Sequence, residues 1–224
     1  MQNREACFRP GDFLIPPQAL LPDWAVIACD QFTSEPDYWQ RVRAQAEGKP
    51  SAYHLVFPEA ELGADDSVRA GRIDQINAAM HAALGADVLR AYPQSFIYVE
   101  RTLLSGVIRR GIVGVIDLEA YDYSSGASSP IRATERTVLE RIPPRVRIRN
   151  RAPLELSHVL LLADDPAGEL FDPVTASRGA MAQLYSFDLM EGGGHIAAWL
   201  LDSEQTRKLS GALAAYEARM SAPW

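Results

Sequence analysis

Apolar positions along this chain follow two rhythms: short unbroken runs, and stripes spaced three or four residues apart. Runs predict buried strands and stripes predict helices, because the two backbones present side chains with different periods. Residues 24–29 (WAVIAC), 53–57 (YHLVF), 96–99, 108–118, 158–163 (HVLLLA), 185–190 and 195–201 are runs and predict strands. Gly111 and Gly114 inside 108–118 predict a bulge or a close backbone approach there. The stripe Val68, Ile73, Ile76, Met80 and Leu84 predicts a helix over 66–84. A second helix is expected over 34–47, with Ser34 as N-cap, Pro36 in the first turn, Asp37 three residues on, and Gly48 and Pro50 ending it. A third spans 202–220, opened by a capping box of Asp202 and Gln205 and carrying Leu209, Leu213, Tyr216 and Met220 on its apolar side. Residues 121–130 read as a polar loop, and 131–151 as a mixed stretch broken by Pro143 and Pro144. Strands and helices alternate at first and strands predominate later. The expected fold class is therefore α+β or mixed α/β, a mixed sheet with flanking helices, in a single domain over 1–224.

Composition narrows the class. The 224 residues are 47% apolar and 23% charged, ordinary globular usage, so default disorder is excluded. No apolar run approaches the roughly 20 residues of a membrane span, and the charged N-terminus is no signal peptide. Cys7 and Cys29 are too few for a disulfide framework and lack metal-ligand spacing, which points to a reducing cytoplasm. A net charge of −7 argues against a dedicated nucleic-acid binder. Within 132–151, however, seven arginines meet only Glu135 and Glu140, a local +5 that leaves −12 for the rest. Such a strip is either a composition that favours arginine everywhere, with only Lys49 and Lys208 as lysines, or a place for a small anion.

Phosphate-loop, dinucleotide, nucleophile-elbow and zincin motifs are all absent, and the four histidines have no ligand spacing. Four segments carry candidate chemistry. Asp30 and Gln31 stand between an expected strand end and a helix N-terminus, where ligands gather in α/β proteins; plain capping explains them as well. Asp117 and Glu119, two residues apart, would share a strand face as acid and base or as magnesium ligands, or else form a solvated strand end. Arg132, Thr134, Glu135 and Arg136 could converge on one anion around a helix N-cap at Thr134, or could be a capped helix with surface arginines. Gly192, Gly193 and Gly194 before His195 could form an anion nest, or simply a hairpin turn.

The segments ACDQFTSEPDYW, RRGIVGVIDLEAYDYSSGASSPIRATERTVLERIPPRVRIR, APLELSHVLLLADDP and LYSFDLMEGGGHIAAW, in this order, resemble the bacterial family called domain of unknown function 1015. The resemblance runs from about Phe13 to Leu201. It implies that this chain is the N-terminal portion of a longer protein. Longer members continue into a segment similar to the phosphate-binding signature of the ParB/sulfiredoxin-like fold, which includes free-serine kinases. The resemblance thus implies phosphoryl transfer to a small anionic metabolite, using ATP or ADP with Mg²⁺. In that scheme Arg132 and Arg136 neutralise the anion, Thr134 and Glu135 orient them, and Asp30 and Gln31 stand alongside. Gly192 to Gly194 supply backbone donors, His195 lines the pocket, and Asp117 and Glu119 serve as base. The alternative is a metabolite-sensing module without chemistry. An apolar patch on the last helix, or a homodimer covering it, is also expected.

Overall fold

The structure, a computed structural model, describes residues 6–28, 35–61, 63–86, 88–122, 124, 126–127, 129–132, 139–156, 158–220 and 224, with the side chains of 59 and 141 excepted. In chain order its elements are β1 (Phe8–Arg9), β2 (Gly11–Ile15), α1 (Leu21–Trp24), α2 (Pro36–Ala46), α3 (Asp66–Gly85), β3 (Arg90–Ser95), β4 (Ile97–Thr102), β5 (Ile108–Val113), β6 (Val115–Ile116), α4 (Ile142–Arg149), α5 (Phe171–Ser177), β7 (Ala182–Asp188), β8 (His195–Leu200) and α6 (Ser203–Arg219). The fold is α+β. Its centre is a four-stranded sheet of order β5-β4-β8-β7, beside the small pairs β1-β6 and β2-β3. Every pairing among the described residues is antiparallel, which makes the expected mixed sheet an antiparallel one. No helix among the described residues is long and apolar enough to cross a membrane.

Register fixes what each sheet face carries. Tyr98, Glu100 and Thr102 alternate onto one face of β4. Opposite them stand Ile112, Arg110 and Ile108 on β5, and Trp199, Ala197 and His195 on β8. The Tyr98–Trp199 end of this face is apolar and packs under α5 and α6, with Phe96, Leu170, Val174, Leu209, Leu213 and Tyr216 completing the core. Two smaller clusters lie around Tyr38, Trp39 and Val42 of α2 and around Ile76 and Met80 of α3.

Local signals account for the helices. The capping box of Asp202 and Gln205 forms as expected at 2.8 and 2.9 Å, and Leu209, Leu213 and Tyr216 are buried. Those three residues lie under α6 within the chain itself, and Met220, the fourth of the expected stripe, is partly buried against the same cluster, so the described part of this helix leaves no exposed apolar stripe. α2 starts at Pro36 and stops before Gly48, which takes φ +68°; Ser34 lies outside the described residues. On α3 the buried stripe is shorter than expected, since Val68 and Leu84 are 59% and 41% exposed. Pro143 and Pro144 do not break a segment but open α4. The first N–H groups of a helix have no intrahelical acceptor, so proline loses nothing there.

Three expected strands are corrected. Trp24 closes α1 and residues 25–28 are irregular, with the Ile27 carbonyl taken by the Tyr38 hydroxyl at 2.7 Å. Residues 52–55 coil into a 3-10 turn, because Ser51 Oγ accepts from the Tyr53 amide. Residues 158–163 form no strand, and Val159, Leu160 and Leu162 stand 76%, 86% and 74% exposed. In each case the run is apolar but no neighbouring strand offers it a ladder. Residues 108–118 divide into β5 and β6 at Gly114, where an added Cβ would meet the Phe8 ring at 2.6 Å and the Arg9 carbonyl oxygen at 2.7 Å. Gly114 is thus the expected close approach, whereas Gly111 faces open space.

Candidate functional site

Two polar groupings share the sheet face that carries Tyr98. The first is built on Glu100, a carboxylate in the middle of β4 that is only 8% exposed. Burying a charge requires partners, and the neighbouring strands supply them. Tyr98, two residues back on the same face, donates its hydroxyl to Glu100 Oε1 at 2.7 Å and lies 3.0 Å from Thr175 Oγ1. Burial pushes the Tyr98 phenol up, so it stays a hydroxyl and a donor. Arg178, just after α5, reaches Glu100 Oε2 at 2.6 Å while its guanidinium lies 5.4 Å from the Trp199 ring centroid. Arg110, opposite Glu100 on β5, approaches Oε1 through Nε at a looser 3.8 Å.

Beside Arg110 lies an open cavity of about 380 Å³, lined also by Asp165, Pro166, Ala167, Gly168, Phe171 and Asp172. Asp165 is occupied as a loop cap, accepting from the amides of Glu169, Leu170 and Phe171. Asp172 is exposed, packed against Gly168 at φ +69°.

The second grouping belongs to the β7–β8 hairpin. His195 opposes Asp188, and its two ring nitrogens lie 2.7 Å from Asp188 Oδ1 and 2.8 Å from Ser186 Oγ. The preceding glycines make the turn rather than a free nest. The Leu189 amide bonds the Gly194 carbonyl at 2.8 Å, and the Gly193 amide bonds Met190 at 2.9 Å. Gly194, at φ +86°, lies so close under the Thr102 carbonyl that a side chain has no room. The Gly193 carbonyl accepts from Arg101 Nε at 2.9 Å.

The remaining described candidates lie at the other end of the sheet. Asp117 caps a 3-10 turn by accepting from the Glu119 amide at 3.1 Å, and pairs with Arg9 at the same distance. The strand does not continue past Ile116, so Asp117 and Glu119 share no strand face, and Glu119 is exposed. Arg132 is also exposed; its amide donates to the Trp224 carbonyl at 2.7 Å. Trp224 in turn packs on Phe8 and Tyr216 and donates Nε1 to Glu217, which also accepts from the Cys7 amide. Phe8 stacks on Phe96, just before β4, whereas His195 opposes Thr102 at the far end of that strand. Arg132 and Asp117 are thus separated from Gly192–His195 by roughly the 17 Å rise of a six-residue strand. Asp30, Gln31, Thr134, Glu135 and Arg136 lie outside the described residues. Among the described residues no three His, Cys, Asp or Glu side chains converge as metal ligands.

Glu100, Arg110, Arg178, Ser186 and Asp188 were not singled out from the sequence. A lone acid at the end of the apolar run FIYV was a usable sign for Glu100. For Ser186 and Asp188 the sign was their i, i+2 spacing before a glycine turn that ends in histidine, which a hairpin folds onto one face. A family model matches residues 9–220, that of the protein of unknown function DUF1015, and the chain belongs to this family. No curated protein and no solved structure matches it.

Proposed function

We propose that this member of the DUF1015 family binds a small anionic metabolite, carboxylated or phosphorylated, in the cavity beside β5, with Arg110 as its anchor. A charge count around Glu100 carries the reading. One buried carboxylate faces two guanidinium groups, and Arg178 at 2.6 Å satisfies it far better than Arg110 at 3.8 Å. Glu100, Arg110 and Arg178 together leave one positive charge, centred on an arginine half exposed on the cavity wall, while Asp172 and the amide-bonded Asp165 stand opposite it. A guanidinium fork in that position suits carboxylate or phosphate oxygens. Asp172 across the cavity would accept an ammonium group, so an amino acid such as serine or phosphoserine fits the arrangement.

Phosphoryl transfer from ATP or ADP with Mg²⁺ is proposed on the family resemblance alone. The second reading, metabolite sensing without chemistry, is supported by the engagement of Asp117 as a turn cap paired with Arg9. Thermal unfolding of the chain with serine, phosphoserine, pyrophosphate, ATP or ADP, with and without Mg²⁺, tests the proposal. A ligand at about a hundred times its dissociation constant stabilises by roughly 2.7 kcal/mol. The shift is expected to vanish in Arg110→Ala and persist in Arg132→Ala. The reverse pattern would move the site to the terminal end of the sheet, and no shift with any ligand would sink the reading.

A further inference from the structure

Asp188, His195 and Ser186 form a continuous hydrogen-bonded chain, and its direction follows from chemistry. A carboxylate only accepts, so the 2.7 Å contact with Asp188 places the ring proton on Nδ1. Nε2, 2.8 Å from Ser186 Oγ, is then the acceptor for the serine hydroxyl proton. The register explains how two strands build this. Ser186 and Asp188 share a face of β7, while Ala197 and His195 oppose them on β8. Ala197 has only a methyl group, which leaves the space above it for the imidazole to lean from Asp188 towards Ser186. β7 is an outer strand of the sheet, and the His195 side chain is 43% exposed, so a small reagent can reach the serine. Gly194 under Thr102 and the Arg101 contact to Gly193 hold the turn that presents His195.

We propose that Ser186 is a nucleophile towards small activated esters, with His195 as its general base and Asp188 as the positioning residue that orients the imidazole. Ser186 Oγ attacks the ester carbonyl carbon and forms a C–O bond, and its proton passes to His195 Nε2. The bond to the leaving alcohol breaks, and the alcohol departs with that proton. Water then gives a proton to Nε2 and attacks the acyl group. The acid leaves as the acyl–Oγ bond breaks, and the serine recovers its proton from Nε2. Water is the only co-reactant. This activity is additional to metabolite binding and does not rest on it. Arg110 stands three strands across the same face from Ser186, about 14 Å away by strand spacing.

The test treats the whole chain with a fluorophosphonate, which forms a P–O bond to a reactive serine as the P–F bond breaks and fluoride leaves. Intact and peptide mass spectrometry locate the adduct. The expected result is one adduct on the peptide containing Ser186, lost in Ser186→Ala. Labelling should slow by about 10² to 10⁴ in His195→Gln and less in Asp188→Asn, with p-nitrophenyl acetate hydrolysis falling in the same order. Ser210→Ala, at a serine on α6 that donates to the Thr206 carbonyl and belongs to neither grouping, should label like the unaltered protein. Melting curves confirm that each variant is folded. No adduct on Ser186 in folded protein, or His195→Gln labelling at the unaltered rate, overturns the proposal.

Discussion

Two segments of this chain open with histidine and continue with a run of apolar residues, HVLLLA at 158–163 and HIAAWL at 195–200. The second is a central strand with Ala198 at 0% exposure, whereas the first is irregular and leaves Leu160 at 86% exposure. Composition does not separate them; partners do. β8 follows β7 through a short glycine turn that delivers it in register, and β4 takes its other edge. Residues 158–163 precede Asp164, Asp165 and Pro166, and Asp165 spends its carboxylate on capping the next loop rather than on turning the chain back into a hairpin. An apolar run is a strand only when another strand is presented to it.

The largest test of this contrast places one charge in each segment. Ala198→Asp buries a carboxylate with no partner and should cost several kcal/mol, a large share of the about 5–15 kcal/mol that holds a domain together. Leu160→Asp should stay within about 0.5 kcal/mol. Urea unfolding of both variants decides the matter, and equal losses would mean that 158–163 is packed in solution. A middle-sized effect is expected at the turn. Gly194→Ala forces an L residue into φ +86° against the Thr102 carbonyl and should destabilise by roughly 1–3 kcal/mol. An unchanged unfolding midpoint would show that the turn is not what delivers β8.

The smallest expected effect is one of pH. Burial pushes the Tyr185 phenol, opposite Ala198, up to about 12. The native state therefore holds this proton more tightly than the unfolded chain, where tyrosine titrates at about 10. The stabilisation is whole below pH ~10 and is lost as pH rises through about 12. Unfolding midpoints measured from pH 9 to 11.5 should fall less steeply in Tyr185→Phe. Parallel curves would mean that the phenol is no better shielded in the fold than out of it.

The sheet face also shows why a site is harder to read than an element. His195 was legible as a residue beside a glycine turn, but its partners Ser186 and Asp188 became visible only when the hairpin register placed them on one face. Arg132 was legible from charge density, yet it lies at the opposite end of the sheet from His195, tied by its amide to Trp224. Arg110 and Arg178, outside the arginine strip, are the ones gathered around a buried carboxylate, because β5 and the end of α5 happen to flank Glu100.

By itself the amino-acid order determined the family, the α+β class, the helices 36–46, 66–85 and 203–219, the capping box of the last, and most of the buried stripes of the last two. Helices are readable because each closes its hydrogen bonds within its own segment, and the signals for starting and stopping lie a few residues apart. Only the tertiary structure decided which apolar runs became strands, that Pro93 could sit in β3, which pairs only with β2, and which charged groups met on the central sheet. Those outcomes depend on ladders and charge pairs between residues tens of positions apart. No local pattern encodes them, because the partner that satisfies each group arrives from elsewhere in the chain.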